Sequence, residues 1–172
     1  MIRKILAATA ISMLLCQCNV LKSDCAALSE REAQIAQEPA GDYYVGRRYY
    51  IEACRFWGYI RPAGKSWREA KLVIMDEHVT HTPDRGVEPP VKGAVYGTDH
   101  NHEYYVRGKY TGEVAYDPST DQVLPVFQAT SYQLRNAKPG FLFVPSERYD
   151  TKTVSLRPAI MPTPQQCAAA SR

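Results

Sequence analysis

Residues 104–134 decide the fold, and they read YYVRGKYTGEVAYDPSTDQVLPVFQATSYQL. Both halves are rich in β-branched and aromatic residues, which suit a pleated and half-buried surface. Between the halves, the stretch from Asp117 to Asp121 contains Pro118, which fixes φ, and short polar side chains that bond to the nearby backbone. The pattern predicts a long β-hairpin.

The second strand of this hairpin can turn either Phe127 or Val126 toward the core, because a shift of one residue exchanges the two faces of a strand. Phe127 lies two places from Pro125 and Ala129, which are both small. A large ring beside small neighbours fills a core without overfilling it. We therefore expect Phe127 to face inward, with Val123 and Ala129 beside it.

Three other stretches upstream of the hairpin are prone to form strands. Residues 43–60 (YYVGRRYYIEACRFWGYI) are expected to form one long strand that bends at Gly46 or Gly58, since glycine permits a bulge. Residues 69–77 predict a second strand, and residues 91–96 predict a short third strand.

A long bent strand, two shorter strands and a long hairpin resemble the OB-fold in strand order and turn placement. The OB-fold is a five-stranded, partly open Greek-key barrel. The resemblance implies a mainly β, OB-like barrel over residues 42–150. An immunoglobulin-like sandwich is the alternative, although it needs about seven short strands.

The beginning of the chain has the pattern of a bacterial export signal over residues 1–17. Two basic residues precede the uncharged residues 5–15, a run too short for the roughly 20 apolar residues of a membrane-spanning helix. Cys16 and Cys18 follow, and a cysteine here resembles the lipobox of bacterial lipoproteins, whose thiol is acylated. The resemblance implies lipidation at Cys18 or, alternatively, at Cys16. Simple secretion and an uncleaved anchor are the other interpretations.

The segments that flank the barrel are expected to be a spacer before it and an edge strand with a tail after it. Residues 18–41 predict a spacer between lipid and barrel, with a short helix that Ser23 or Asp24 caps and that ends before Pro39. Residues 151–172 predict an edge strand over 151–156, followed by a proline-rich tail that is extended or disordered.

The charge balance limits the classes of partner. The chain has 21 basic and 18 acidic residues, and cleavage before Cys18 would remove two basic ones, leaving 19 against 18. An excess of one positive charge gives only a weak electrostatic attraction for a polyanion. Nucleic acid is therefore not an expected partner, and the membrane is reached through the lipid.

All four histidines lie between residues 78 and 102, with several carboxylates nearby. Imidazole and carboxylate are usual ligands of zinc, and four of them can close a tetrahedral site. The histidines His78, His81, His100 and His102 are therefore a candidate zinc site, and no other cofactor is expected. The alternative is that they are solvated loop residues.

Aromatic residues alternate with basic ones on two of the predicted strands, which indicates a surface for stacking. OB-folds use such a face for oligonucleotides or sugars. Because export argues against nucleic acid, the candidate ligand is a peptide, a protein or an oligosaccharide. The alternative is that about half of these rings belong to the core. The candidate face consists of Tyr49, Arg55, Trp57, Tyr59, Tyr105 and Arg107.

The cysteines indicate a disulfide. If Cys18 carries lipid, Cys25, Cys54 and Cys167 remain, which allows one bridge and one free thiol. Cys54 lies in an apolar strand, whereas Cys25 and Cys167 lie in the two ends of the chain, which often emerge close together. We therefore predict a Cys25–Cys167 bridge.

The sequence contains none of the motifs of nucleophile elbows, phosphate loops or HExxH metal sites, so no catalytic residue is assigned. It predicts an exported, lipid-anchored protein of the cell envelope, facing the periplasm or the cell surface. Its expected role is non-enzymatic, in binding or in structure. Two alternatives are a metal-binding protein that uses the histidine loops and a small secreted enzyme.

Overall fold

The computed structural model describes residues 2–51, 55–81, 98–118, 121–145 and 161–171. A 3₁₀ turn at Trp67–Glu69 precedes the third strand. In chain order, the elements are α1 (Ile2–Ala36), β1 (Tyr44–Ile51), β2 (Arg55–Pro62), β3 (Lys71–Asp76), β4 (Glu103–Asp117), β5 (Gln122–Asn136) and α2 (Pro164–Ala170).

The five strands close into a barrel in the order β1-β2-β3-β5-β4. Strands β3 and β5 run parallel, and the other neighbouring pairs are antiparallel. Because one sheet closes on itself, its edges are paired and its inner face forms a core. The prediction of a mainly β, five-stranded OB-like barrel is confirmed, and the sandwich alternative is wrong.

The prediction of one long strand over residues 43–60 is wrong. The region forms an antiparallel hairpin of β1 and β2, in which Tyr49 lies opposite Trp57. Residues on both sides of the turn are equally β-prone, so local propensity contains no signal for the reversal. Pairing decides it, because the hairpin satisfies the backbone groups of both strands.

Of the remaining predicted strands, the one over residues 69–77 is present, and it begins at Lys71 because Trp67–Glu69 form the 3₁₀ turn. The long hairpin is confirmed as β4 and β5. The predicted strands at 91–96 and 151–156 lie outside the described residues, as do Cys54 and the rest of the segment that joins β1 to β2.

Phe127 faces the inside of the barrel as predicted, with no exposed surface, and Ala129 lies beside it. The rings of Tyr44 and Tyr110 meet Phe127 edge-on, with centroids 4.9 and 5.2 Å away. These residues belong to a core cluster with Ile60, Val73, Tyr104 and Val106.

The prediction that Val123 is buried beside Phe127 is wrong, because 64% of Val123 is exposed. The register of β4 against β5 shifts between Tyr110 and Val114, which is the mark of a bulge. On β5 the side chain buried beyond this shift is that of Leu124. Val123 lies opposite Tyr116, which is 58% exposed, so these two side chains share a face that is open to solvent at this end of the hairpin.

Helix α1 is longer than predicted, since it begins at Ile2, and both Ser23 and Asp24 lie inside it rather than at its cap. The apolar residues before Ser23 are mostly good helix formers, so the helix continues through them. Its end before Pro39 agrees with the prediction. Among the described residues, no helix is both long and apolar enough to cross a membrane.

The C-terminal helix α2 corrects the prediction that the end of the chain is extended or disordered. The Thr163 hydroxyl accepts a hydrogen bond from the Gln166 backbone N–H, and the Gln166 side chain accepts one from the Thr163 N–H. This capping box, together with Pro164 at the first turn, starts the helix. The three prolines of the tail all lie at or before Pro164, so they leave the following QQCAAA free to be helical.

The disulfide joins Cys25 of α1 to Cys167 of α2, in agreement with the predicted pairing, and the two Cα atoms are 5.4 Å apart. The bond closes a loop with a sequence separation of 142 residues. It ties the end of the chain to the helix that covers the barrel. A cross-link over so long a loop removes much conformational freedom from the unfolded chain.

Replacing Phe127 with alanine should lower the free energy of unfolding by about 3–5 kcal/mol, because it empties a fully enclosed site in the barrel core. Val126→Ala is the matched control on the adjacent, half-buried position and should cost clearly less. Chemical denaturation of the two variants measures both values. A larger loss for Val126→Ala would contradict the observed register.

The double variant Cys25→Ser/Cys167→Ser should be less stable than the wild type by about 2–4 kcal/mol, since its unfolded chain is no longer constrained. A reductant should lower the denaturation midpoint of the wild type to that of the double variant and leave the double variant unchanged. An equal effect of reductant on both proteins would show that the bridge contributes nothing.

Candidate functional site

A pocket of about 290 Å³ lies between α1 and the outer face of the barrel. Helix α1, strands β1, β2, β4 and β5, and the 3₁₀ turn all contribute side chains to it. Four of its residues are arginines. The lining consists of Arg31, Gln34, Ile35, Arg47, Arg61, Trp67, Glu103, Tyr105, Arg135, Asn136 and Pro139.

Strand register explains why charged residues meet here. Arg47 of β1 lies opposite Glu103 of β4, and Val45 lies opposite both Arg61 and Tyr105. Directly opposed residues point to the same face of a sheet, and so do residues two apart in a strand. One outer face of the barrel therefore presents Arg47, Arg61, Glu103 and Tyr105 together.

A β-bulge adds a fifth strand residue, Arg135. Glu103 lies opposite Asn136, whereas the next residue, Tyr104, lies opposite Leu134, so Arg135 is the extra residue of β5 at this point. Bulges redirect side chains in this way. Arg135 reaches Glu103 through its Nη1 at 2.6 Å from Oε1, and Glu38 through its Nη2 at 2.9 Å from Oε1.

The five charged groups form an alternating chain, Arg47–Glu103–Arg135–Glu38–Arg61. The Arg47 Nη2 lies 3.0 Å from Glu103 Oε2, and the Arg61 Nη2 lies 2.5 Å from Glu38 Oε1. Each carboxylate is thus shared by two guanidinium groups, which are fixed donors with planar geometry. Apart from half-buried Arg135, the side chains of these five residues are at most 8% exposed.

Glu38 joins the end of α1 to the barrel. Its carboxylate also accepts a hydrogen bond from the Gly64 N–H at 2.9 Å. Burial acts to raise the pKa of this carboxyl, but the bonds from Arg61 and Gly64 and the nearby positive charges outweigh burial, so the pKa lies below its usual value. Glu38 is therefore ionised in the folded protein near neutral pH.

Arg31 enters the pocket from α1. Its guanidinium donates to the backbone carbonyls of Phe141 and Leu142 and lies 3.6 Å above the Phe141 ring. Burial, followed by the positive charge of Arg47, lowers its pKa to about 10. Arg31 remains protonated at neutral pH, so the pocket keeps all four of its positive charges.

Aromatic rings hold the guanidinium groups in place. The Trp67 ring contacts two of them, with Arg47 Cζ at 5.3 Å and Arg61 Cζ at 4.9 Å from its centroid, and Tyr105 lies 5.5 Å from Arg135 Cζ. Such contacts restrict long side chains before any ligand arrives.

The pocket has a buried floor and an open rim. Arg47, Arg61 and Trp67 are almost fully enclosed, whereas Gln34 and Asn136 at the rim are exposed. A small solute can therefore reach the partly exposed guanidinium groups of Arg31 and Arg135 from solvent, whereas those of Arg47 and Arg61 are enclosed. The arrangement supplies fixed hydrogen-bond donors and positive charge.

A second polar cluster lies inside one end of the barrel. Arg48 approaches Glu77 and Asp99, each at 3.4 Å, and the Tyr104 hydroxyl donates to Asp99 at 3.1 Å. Convergent carboxylates are a feature of many enzyme sites, but the cavity beside Arg48 has a volume of only about 10 Å³. That is about the space of one water molecule, so this cavity, as the described residues line it, has no room for a substrate.

The four histidines are not gathered into one site. Groups of three or more histidine, cysteine or acidic residues that could hold a metal are absent from the described part of the chain. His78 is exposed and lies 2.5 Å from Asp76 Oδ1, a contact that lowers the pKa of Asp76. His100 packs edge-on to Tyr49 at 5.2 Å, and burial lowers its pKa. The described residues thus give the zinc hypothesis no geometric support.

The predicted ligand face is divided between core and surface. Tyr49 is buried, and it meets the half-buried Tyr59 edge-on at 5.9 Å, within the cluster beneath α1. Arg107 is exposed, and Tyr105 lines the pocket. The side chains of Arg55 and Trp57 lie outside the described part of the chain.

Sequence reasoning missed most of the pocket, including Arg31, Arg47 and Trp67. One signal was present: Arg47 and Arg48 are adjacent in a strand-forming run. Adjacent residues of a strand point to opposite faces, so one arginine had to face the barrel interior and the other its outer face. The barrel encloses the inner arginine, and α1 covers the outer one. Both are therefore buried, and buried arginines require partners.

Comparison with known proteins found no matching family model, no similar curated protein and no matching solved structure.

Proposed function

We propose that this protein is a non-enzymatic binding protein of a bacterial cell envelope, exported and anchored by a lipid at Cys18. Its barrel carries the pocket beneath α1, which binds a small polar ligand from outside the cytoplasm. The observation that carries the proposal is the pocket itself, with charged, prearranged side chains on a buried floor.

Support for export comes from the beginning of the chain and from the cysteines. Residues 1–18 follow the order of basic, apolar and cysteine residues that signal peptides of lipoproteins have. The Cys25–Cys167 disulfide favours an oxidising compartment, since such bonds are rare in the cytosol. Lipidation itself concerns side chains at Cys16 and Cys18 that lie outside the described part of the chain.

Support for binding comes from the size and rigidity of the pocket. Its volume of about 290 Å³ is close to the lower end of the range of about 300–1,000 Å³ found for small-molecule sites. Ion pairs and ring contacts hold the arginines, so a ligand need not order them. The neighbouring carboxylates are each engaged by two arginines, which suits binding better than proton transfer.

Cells that express the full chain should incorporate a fatty-acid analogue into it, and Cys18→Ser should abolish the label. Cys16→Ser is the matched control and should retain the label. Loss of label in Cys16→Ser alone would move the anchor to Cys16, and an unlabelled wild type would refute lipidation.

Ligand binding should change the intrinsic fluorescence of Trp67, because its ring lines the pocket. The Trp57→Phe variant leaves Trp67 as the only tryptophan, so its emission reports on the pocket alone. Titration of this variant with neutral saccharides, short peptides and small anions should identify at least one saturating response. A wholly unresponsive Trp67 across these three classes would contradict the binding function.

A further inference from the structure

We propose that the ligand of this pocket is a small dianionic oxoanion, of the phosphate monoester or dicarboxylate kind. This assignment rests on the proposed binding function and deepens it by naming the chemical class of the ligand. It follows from three properties of the site: an excess of positive charge, enclosed guanidinium groups that this excess includes, and an open cavity that arginines line.

The charge of the site is unbalanced. The pocket is lined by the four guanidinium groups of Arg31, Arg47, Arg61 and Arg135, and only Glu38 and Glu103 pair with them. Two carboxylates against four guanidinium groups leave an excess of two positive charges. Buried charge without a partner is costly, so a ligand with two negative charges would stabilise the folded state.

One further carboxylate acts on Arg31, that of Glu32, and it is engaged outside the pocket. Glu32 of α1 acts on Arg31 only at a distance, and its Oε1 accepts a hydrogen bond from the Ser66 hydroxyl at 2.6 Å. It is not among the residues that line the pocket. Within the described ranges, the positive excess is therefore not cancelled by a carboxylate inside the cavity.

Two donors on the floor lack acceptors. The Nε atoms of Arg47 and Arg61 are buried and have no hydrogen-bond partner among the described residues. Their side chains are 1% and 0% exposed, so neither bulk water nor a ligand in the cavity contacts these two atoms directly. A ligand offsets the positive charge of these two guanidinium groups through space, and it contacts those of Arg31 and Arg135, for which an anionic oxygen is the strongest acceptor.

The cavity has room for such a ligand. A volume of about 290 Å³ is close to the lower end of the range of about 300–1,000 Å³ for small-molecule sites, which is enough for a compact phosphate ester or dicarboxylate. The exposed rim at Gln34 and Asn136 provides the entry. Neutral sugars could enter the same space, but they would leave the positive excess unbalanced.

The test uses the full-length chain in neutral detergent, at constant ionic strength. Inorganic phosphate and succinate are titrated by calorimetry, with sodium chloride and glucose as comparison solutes. We expect saturable one-to-one binding of at least one of the two anions, and a melting temperature that rises with its concentration. Glucose and chloride should produce neither effect.

Arg31→Gln is the diagnostic variant, because Arg31 bonds to backbone carbonyls and its loss leaves no carboxylate unpaired. It should weaken anion binding by about tenfold or more, the range for a lost hydrogen bond to a charged group. Arg107→Gln is the matched control, since it removes the same charge from an exposed position of β4, and it should bind as the wild type does.

Several results would overturn the assignment. Absence of binding and of thermal stabilisation by both anions in the wild type refutes it without any variant. Equal weakening by Arg31→Gln and Arg107→Gln would show diffuse surface attraction rather than a site. Binding of glucose without the anions would overturn the anion assignment while leaving the proposed binding function intact.

Discussion

The shared carboxylate of Glu38 is the interaction on which the arrangement of helix and barrel depends. It lies just after α1 and contacts Arg61 of β2, Arg135 of β5 and the backbone N–H of Gly64. These contacts tie the end of the helix to two strands. Without the helix, the outer face of the barrel would expose both the arginines and an apolar cluster that includes Val45.

A buried ion network is not in itself a source of stability. Removing two charges from water costs several kcal/mol per ion, and a well-packed apolar pair often does as well. Breaking such a pair, by contrast, costs about 3–5 kcal/mol, because a charge is left uncompensated. The alternating chain from Arg47 to Arg61 therefore specifies how the helix meets the barrel more than it strengthens the contact. A surplus of arginine over glutamate does not help folding, and this is the physical reason to connect the pocket with a ligand.

Two cores lie on either side of the β1–β2 hairpin, and they explain why its sequence is β-prone throughout, without a regular alternation of apolar and polar residues. The barrel interior contains Ile60 and Phe127, whereas the face beneath α1 contains Tyr49 and Trp67. The disulfide adds a covalent tie between α1 and the end of the chain, away from the strands. A strand covered on both faces has no polar alternation, which is why residues 43–60 could not be divided by pattern alone.

The sequence by itself determined the elements whose signals are local. The β4–β5 hairpin follows from β-prone runs on both sides of a turn, the end of α1 from Pro39, and the inward position of Phe127 from its small neighbours. The Cys25–Cys167 pairing followed from the number and placement of the cysteines. Only the tertiary structure decided the rest: the reversal between β1 and β2, the exposure of Val123 at the far end of the long hairpin, and the meeting of Arg31, Arg47, Arg61 and Arg135. Those features depend on the register between strands and on the helix that covers them. Register joins residues far apart in the chain, and no local propensity encodes it.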